Sequence, residues 1–198
     1  MTMALVLKKY SAGYLEDCIT VLGDAFVTNP LHLSAFGAGR KDQNRLFFRI
    51  GMRHMFVGQS LVALENEKVC GYVHFNPWPY CLPAPEEIPG VAATLLTPLG
   101  DALPQVIRWF TRWSHLDPDE FHVHLGPIGV APESQGRGVG TALMQRYIDH
   151  LDQEKAAGYL ETDRTENVEF YKRFGFVVRR NEELIGAPIW YMWRPARG

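Results

Sequence analysis

Glycine occupies every second position of one short stretch, at Gly136, Gly138 and Gly140. The stretch separates an apolar run ending at Val130 from the helical repeat of Leu143, Met144, Tyr147, Ile148 and Leu151. This spacing predicts a strand, a tight turn and a helix in direct succession. Alternating glycines let a ligand approach the backbone and leave several N–H groups pointing outward, and the helix start adds unpaired donors and the positive end of its dipole. With the Arg137 guanidinium beside it, the turn suits an anion, a pyrophosphate above all. A turn that merely joins two elements is the alternative, and the loop by itself does not decide between them.

Two phosphate-binding classes are disfavoured. The loop of nucleoside triphosphatases requires a Lys followed by Ser or Thr after its last glycine, where this chain has Val139, Gly140 and Thr141. The dinucleotide fingerprint needs glycine at 141, and no run of parallel βαβ units surrounds the loop. With 20 Lys and Arg against 22 Asp and Glu, the chain lacks the positive field that nucleic-acid binding leans on. The longest apolar run near the start, Met3 to Leu7, is too short for a signal peptide core or a membrane span. A cytoplasmic protein without membrane or nucleic-acid partners is expected. The three cysteines, Cys18, Cys70 and Cys81, include no close pair and read as packing residues.

At 198 residues with 46% hydrophobic content, a single domain is expected. A strand over 3–8 precedes a helix carried by Leu15, Cys18, Ile19, Leu22, Ala25 and Phe26, which Asn29 and Pro30 end. A second helix is predicted over Lys41 to Met55, and a hairpin turns at Glu65, Asn66, Glu67 and Lys68 between Leu61–Leu64 and Val69–Phe75. Five prolines between Pro77 and Pro89 exclude a helix or central strand there. They open an inserted segment, 77–119, whose helix presents Val106, Trp109, Phe110 and Trp113. That helix is either plain core or the wall of a pocket for an apolar or aromatic substrate. Phe121 to Val130 reads as a strand, followed past the glycine helix by a strand at Tyr159 to Thr162, a short helix around Asn167 to Phe174, and strands near Phe176 to Val178 and Ile189 to Trp193.

The stretch Gln135, Gly136, Arg137, Gly138, Val139, Gly140 resembles in full the acyl-CoA signature Q/RxxGxG/A of the GCN5-related N-acetyltransferase (GNAT) superfamily. The preceding Ile128, Gly129, Val130, Ala131 and Pro132 look like that family's fourth strand, and Leu160, Glu161 and Thr162 through Asn167, Phe170, Tyr171, Gly175 and Phe176 look like its second motif. Within the superfamily, His122, Leu125, Gly126, Gly129, Val130 and Pro132 with Leu160, Glu161 and Thr162 look closest to the branch that includes puromycin acetyltransferase. The resemblance implies an α/β fold with a mixed, mostly antiparallel sheet of six to seven strands flanked by helices. It also implies acetyl transfer from acetyl-CoA to a primary amine of a small molecule or peptide, in a ternary complex.

On that likeness, the backbone of Ile128, Gly129 and Val130 pairs with the pantetheine amides, and the loop from Gln135 to Thr141 holds the pyrophosphate. Gly126 and Pro127 loosen the strand and let the cofactor in. Asn167 and Tyr171 share a helix face beside the thioester sulfur, which makes Tyr171 the general acid: a phenol with a pKa of about 10 stays protonated at neutral pH. His124, on the same strand face as His122, is the leading candidate for the base. The rival reading of that histidine pair is half of a hydrolytic zinc site completed by His74, His115 or a nearby Asp. No HExxH or cysteine pair supports it, so no metal cofactor is expected. A module that binds acyl-CoA without catalysis is a further alternative, against which Tyr171 and the intact loop argue. Trp190 and Trp193 serve either a homodimer contact or the core.

Overall fold

The computed structural model describes residues 5–197, so Met3 and Ala4 of the first expected strand lie outside it. In chain order the elements are β1 (Val6–Lys9), α1 (Leu15–Phe26), α2 (Pro30–Phe36), α3 (Lys41–Ile50), β2 (Gln59–Glu65), β3 (Lys68–Pro77), α4 (Ile88–Val91), α5 (Leu103–Leu116), β4 (His122–Val130), α6 (Val139–Glu154), β5 (Ala157–Thr162), α7 (Thr165–Lys172), β6 (Val177–Leu184) and β7 (Ala187–Arg194). The strands form one seven-stranded sheet in the order β1-β2-β3-β4-β5-β7-β6. Every neighbouring pair is antiparallel except β4 with β5.

Helices cover both faces. On one, Leu143, Met144, Tyr147 and Leu151 of α6 and Tyr171 of α7 pack against Val73, Phe75, Val123, Leu125 and Met192 of the sheet. On the other, α2, α5 and the tight helical turns over 92–102 bury Leu31, Phe36, Leu96, Leu99, Val106 and Trp109 against Tyr159, Tyr191 and Trp193. Alongside them, Cys18, Leu22 and Phe48 of α1 and α3 cover Val62, Leu64 and Tyr72. The inserted segment 77–119 therefore contributes to the chain's own core.

Three local expectations are revised. Pro30 does end the α1 pattern, but it also opens α2 from the first helical position, where its missing N–H costs nothing. The chain after the prolines is more helical than expected, because Pro89, Pro98 and Pro104 each sit in the first turn of a short helical segment. β6 runs to Leu184 through a charged stretch that hides its strand character, as suits an exposed edge strand. β7 lies inside the sheet, where Trp193 is buried in the chain's own core and Trp190 is half-buried against the core of the other face.

The seating of α6 fixes the glycine loop, and it depends on Gly71 of β3. A Cβ there would stand 2.9 Å from both Val139 Cγ1 and Leu143 Cδ1. Gly71→Val is expected to lower stability by about 1–3 kcal/mol through overpacking. Denaturant midpoints check this, and an unchanged midpoint would mean that α6 is not seated on this contact.

Candidate active site

The parallel neighbours β4 and β5 pair only across His122, Val123 and His124. Beyond His124 the two strands part. The same point carries an irregularity on the other side, where β3 pairs Phe75 with Leu125 and then Val73 with Ile128. Gly126 and Pro127 together stand opposite the single residue His74, one residue too many for the ladder, and Pro127 has no N–H to give to it. The expected loosening of β4 is thus located, and it opens a cleft of about 1500 Å³ through the middle of the molecule. That exceeds the usual size of a site for one small ligand.

At one end of the cleft lies the glycine loop. Gly138 caps α6 in the left-handed region, with φ 87°, and the first helical hydrogen bond runs from Ala142 N to Gly138 O at 2.9 Å. The amides of Val139, Gly140 and Thr141 come before that bond and have no partner inside the helix. Glycine at 138 is therefore demanded by backbone conformation, since protein atoms leave open space around a Cβ at that position. Gln135, Gly136, Gly138, Gly140 and Thr141 line the cleft with Ile128, Gly129, Val130, Asn167, Tyr171 and His124.

Two of the expected cofactor residues play other parts. Val139 is buried in the core and offers only its amide to this region. Arg137 does not line the cleft: its guanidinium is paired with Glu65, at the hairpin turn, at 3.1 Å. Gln135 Nε2 donates to the Val130 carbonyl at 3.1 Å, so one polar group of the β4 edge is taken by the chain itself. The positive side chains that do line the cleft, Arg164 and Arg173, bracket α7.

Tyr171 sits on α7, nearly buried, and its hydroxyl makes no hydrogen bond to the protein among the described residues. Burial, and secondarily the Asp163 carboxylate, raise its pKa well above the usual value, so the phenol is protonated throughout the neutral range. By contrast the fully buried Tyr147 hydroxyl donates to the Val123 carbonyl at 2.6 Å.

His124 occupies a different setting from the one a free base needs. Its side chain is about 5% exposed, Nε2 lies 2.7 Å from Glu161 Oε2, and Nδ1 lies 3.3 Å from Asp117 Oδ1. Burial opposes its charge, but Glu161 and then Asp117 outweigh it and raise the pKa well above the usual value. In that state the ring has no lone pair for an incoming proton. The neighbouring His122 shares the face, as alternation predicts, and Asp117 and Cys81 raise it to about 9 against the effect of burial. Cys81 thus belongs to a polar cluster rather than to apolar packing. Its burial would raise the thiol pKa, and contacts with His122 and His124 reverse that. His115 is elsewhere, exposed and bonded to its own helix.

His74, which the sequence offered only as a possible metal ligand, lies apart from the His122–His124 cluster, on β3 opposite the Gly126–Pro127 irregularity. Its Nδ1 lies 2.8 Å from Ser60 Oγ, and its ring stacks on Phe56 with centroids 4.6 Å apart. Nε2 is buried without a partner in a residue that lines the cleft. Burial pushes its pKa down to about 4, against the opposing pull of the neighbouring Asn76 amide. Burial thus favours the neutral ring, and in the tautomer whose Nδ1–H donates to Ser60 the lone pair lies on Nε2. Nothing in the local sequence singles it out, because its setting comes from the partner strand.

The far end of the cleft is apolar and aromatic. Phe47, Phe56, Trp78, Tyr80, Trp109 and Trp113 line it, with Glu87, Asp117 and Asp119 as acidic groups. Trp109 is both core and wall, being 3% exposed and also on the cleft.

A family model for the acetyltransferase (GNAT) family matches residues 30–176. The chain belongs to that family. Its fold is shared with the crystal structure of histone acetyltransferase HPA2 and related acetyltransferase from Corynebacterium glutamicum, at 20% identity and a TM-score of 0.74 over 99% of this chain and 98% of that one. Arylalkylamine N-acetyltransferase 2 from Aedes aegypti is 12% identical with a TM-score of 0.71, over 98% of this chain and 99% of that one. A GNAT family acetyltransferase from Brucella melitensis, solved in complex with acetyl-CoA, is 18% identical with a TM-score of 0.55, over 99% and 90% of the two chains. Among the described residues, no helix of this GNAT protein is long and apolar enough to cross a membrane.

The two tyrosine hydroxyls make opposite predictions for stability. Tyr147→Phe leaves the buried Val123 carbonyl without its donor and should cost about 1–2 kcal/mol. Tyr171→Phe removes a hydroxyl with no protein partner and should cost no more than about 0.5 kcal/mol. Thermal or denaturant unfolding of the pair checks this, and a large loss in Tyr171→Phe would make that hydroxyl structural.

Proposed function

We propose that this protein acetylates a primary amine carrying an apolar or aromatic body, using acetyl-CoA, with both substrates bound together in the cleft. The observation that carries the reading is the parting of β4 from β5 beside a free helix start: a strand edge and an anion-binding turn on one continuous surface. The donor set fits the cofactor. Backbone groups of Ile128, Gly129 and Val130 would hold its amide-bearing arm, and the amides of Val139, Gly140 and Thr141 would hold its pyrophosphate. Asn167 lines the same stretch. When bound, acetyl-CoA supplies the thioester carbonyl that the amine attacks.

The chain's own residues supply the rest. Tyr171 holds a proton on a hydroxyl that faces the cleft and gives it to the departing thiolate. His74, a neutral imidazole in a residue that lines the cleft, is the candidate to relay, through water, the proton that the attacking nitrogen sheds, a role His124 cannot fill with Nε2 held by Glu161 and Nδ1 facing Asp117. Glu87 and Asp119 attract the ammonium form of the acceptor to the insertion end, while Arg164 and Arg173 favour the anion at the other. The aromatic wall takes the acceptor's body. The likeness to the branch with puromycin acetyltransferase, an amine acetylator, is in keeping with this and rests on sequence alone.

The test is CoA release with acetyl-CoA and a panel of amines, comparing arylalkylamines with short aliphatic amines and peptide N-termini. Turnover favouring amines with an aromatic body is expected. Tight acetyl-CoA binding without turnover on any amine would make the protein a binding module. Tyr171→Phe and His74→Gln should each lower kcat by about 10²- to 10⁴-fold while leaving acetyl-CoA affinity unchanged. Measured with chemistry limiting, full activity in either variant would remove that residue from the mechanism.

A further inference from the structure

Cys81 Sγ, Asp117 Oδ1, His122 Nε2 and His124 Nδ1 converge from three elements so that all four atoms lie within 4.8 Å of one another. His122 Nε2 is 3.4 Å from Cys81 Sγ and 3.4 Å from Asp117 Oδ1, and His124 Nδ1 is 3.3 Å from the same oxygen. A tetrahedral zinc site with bonds of about 2.0–2.3 Å has edges of roughly 3.3–3.7 Å between ligand atoms. Three of the six distances here, at 3.3–3.4 Å, already have that length, and the rest lie within 4.8 Å.

The outer contacts set the tautomers that a metal needs. His122 Nδ1 lies 2.7 Å from the Glu120 carbonyl and His124 Nε2 lies 2.7 Å from Glu161 Oε2. In the neutral rings each of those nitrogens donates its N–H outward, which turns the lone pair of the other nitrogen inward. A carbonyl and a carboxylate behind ligating histidines are what orient and strengthen such ligands. Inside the cluster, Asp117 Oδ1 and His124 Nδ1 are buried and make no hydrogen bond despite their closeness. With both rings neutral, four lone-pair atoms face one another, an arrangement that repels unless a cation fills it; without a cation, protons on the two rings take that place.

We propose that Cys81, Asp117, His122 and His124 bind a zinc ion. A thiolate and two imidazoles select zinc over magnesium or calcium, and four protein ligands leave no open position for water. The ion is therefore structural, and the hydrolytic reading of the histidine pair does not return. Cys81 lies at the start of the insertion and Asp117 just after α5, so one ion ties both ends of residues 81–117 to β4. It holds the aromatic wall against the sheet, with Cys81, Asp117 and His124 bordering the cleft. This replaces the expectation that the chain uses no metal. The inference does not rest on acetyl transfer: zinc in a protein that acetylates nothing would uphold it.

The test uses the full chain, purified without a histidine tag. Elemental analysis should find about one zinc per chain. Protein stripped with a chelator should melt at lower temperature, recover with zinc, and on cobalt titration show the visible bands of a tetrahedral ion together with a thiolate charge-transfer band. Cys81→Ala should abolish the charge-transfer band and weaken zinc binding by more than about 100-fold, beyond what loss of an outer contact does. If that variant does not fold, the cobalt spectrum of the wild-type chain still decides. A chain that carries no zinc, takes up neither zinc nor cobalt at micromolar concentration and melts identically with chelator would overturn the proposal and leave a cluster held by shared protons.

Discussion

The whole arrangement depends on one break in hydrogen bonding. β4 pairs with β5 for three residues and then stops, because Gly126 and Pro127 interrupt the strand's regular ladder. A sheet that stayed closed here would bury its centre under helices on both faces and leave no opening. With the break, polar backbone that would otherwise be satisfied within the sheet becomes a surface for a ligand. The helix that follows β4 then brings its free amides to the same opening. Strand edge, helix start and cleft are consequences of a single local failure of pairing.

The two halves of the cleft are built by different means. The glycine loop, β4 and α7 fall within one stretch of the sequence and are held by a closely packed core, with Leu143, Met144, Tyr147 and Leu151 essentially inaccessible. The opposite wall comes from a proline-rich insertion with short helices, and a segment of that kind needs fastening. Its apolar side chains supply part of this by joining the core that also contains Tyr159, Tyr191 and Trp193. The proposed zinc supplies the rest at its two ends. Such a division suits an enzyme family in which the cofactor is constant and the acceptor varies, because the wall can be rebuilt without disturbing the anion site.

What was legible in the sequence follows from range. The turn from Gln135 to Gly140, the core face of α6 and the short helix that carries Asn167 and Tyr171 are local patterns, and the elements formed where those patterns lie. The break at Gly126 and Pro127 was also readable, because proline and glycine act on their own strand. Contacts between distant segments were not. Cys81, Asp117 and the histidine pair meet only after the insertion has folded back on β4. His74 meets Ser60 only across a strand pair, and Arg137 is drawn from the loop by Glu65, a residue 72 positions earlier. Charge on an edge strand, as in β6, conceals periodicity for a related reason: the partner, not the sequence alternation, makes it a strand.

The central claim is that acetyl-CoA is held by the open edge of β4 and the start of α6. The most direct measurement is the change in backbone amide resonances when acetyl-CoA is added to the full-length chain. The account predicts the largest shifts at Ile128, Gly129 and Val130 and at Val139, Gly140 and Thr141, with the amides of β1 and β6 undisturbed. Saturable binding that left those six amides unmoved would contradict it.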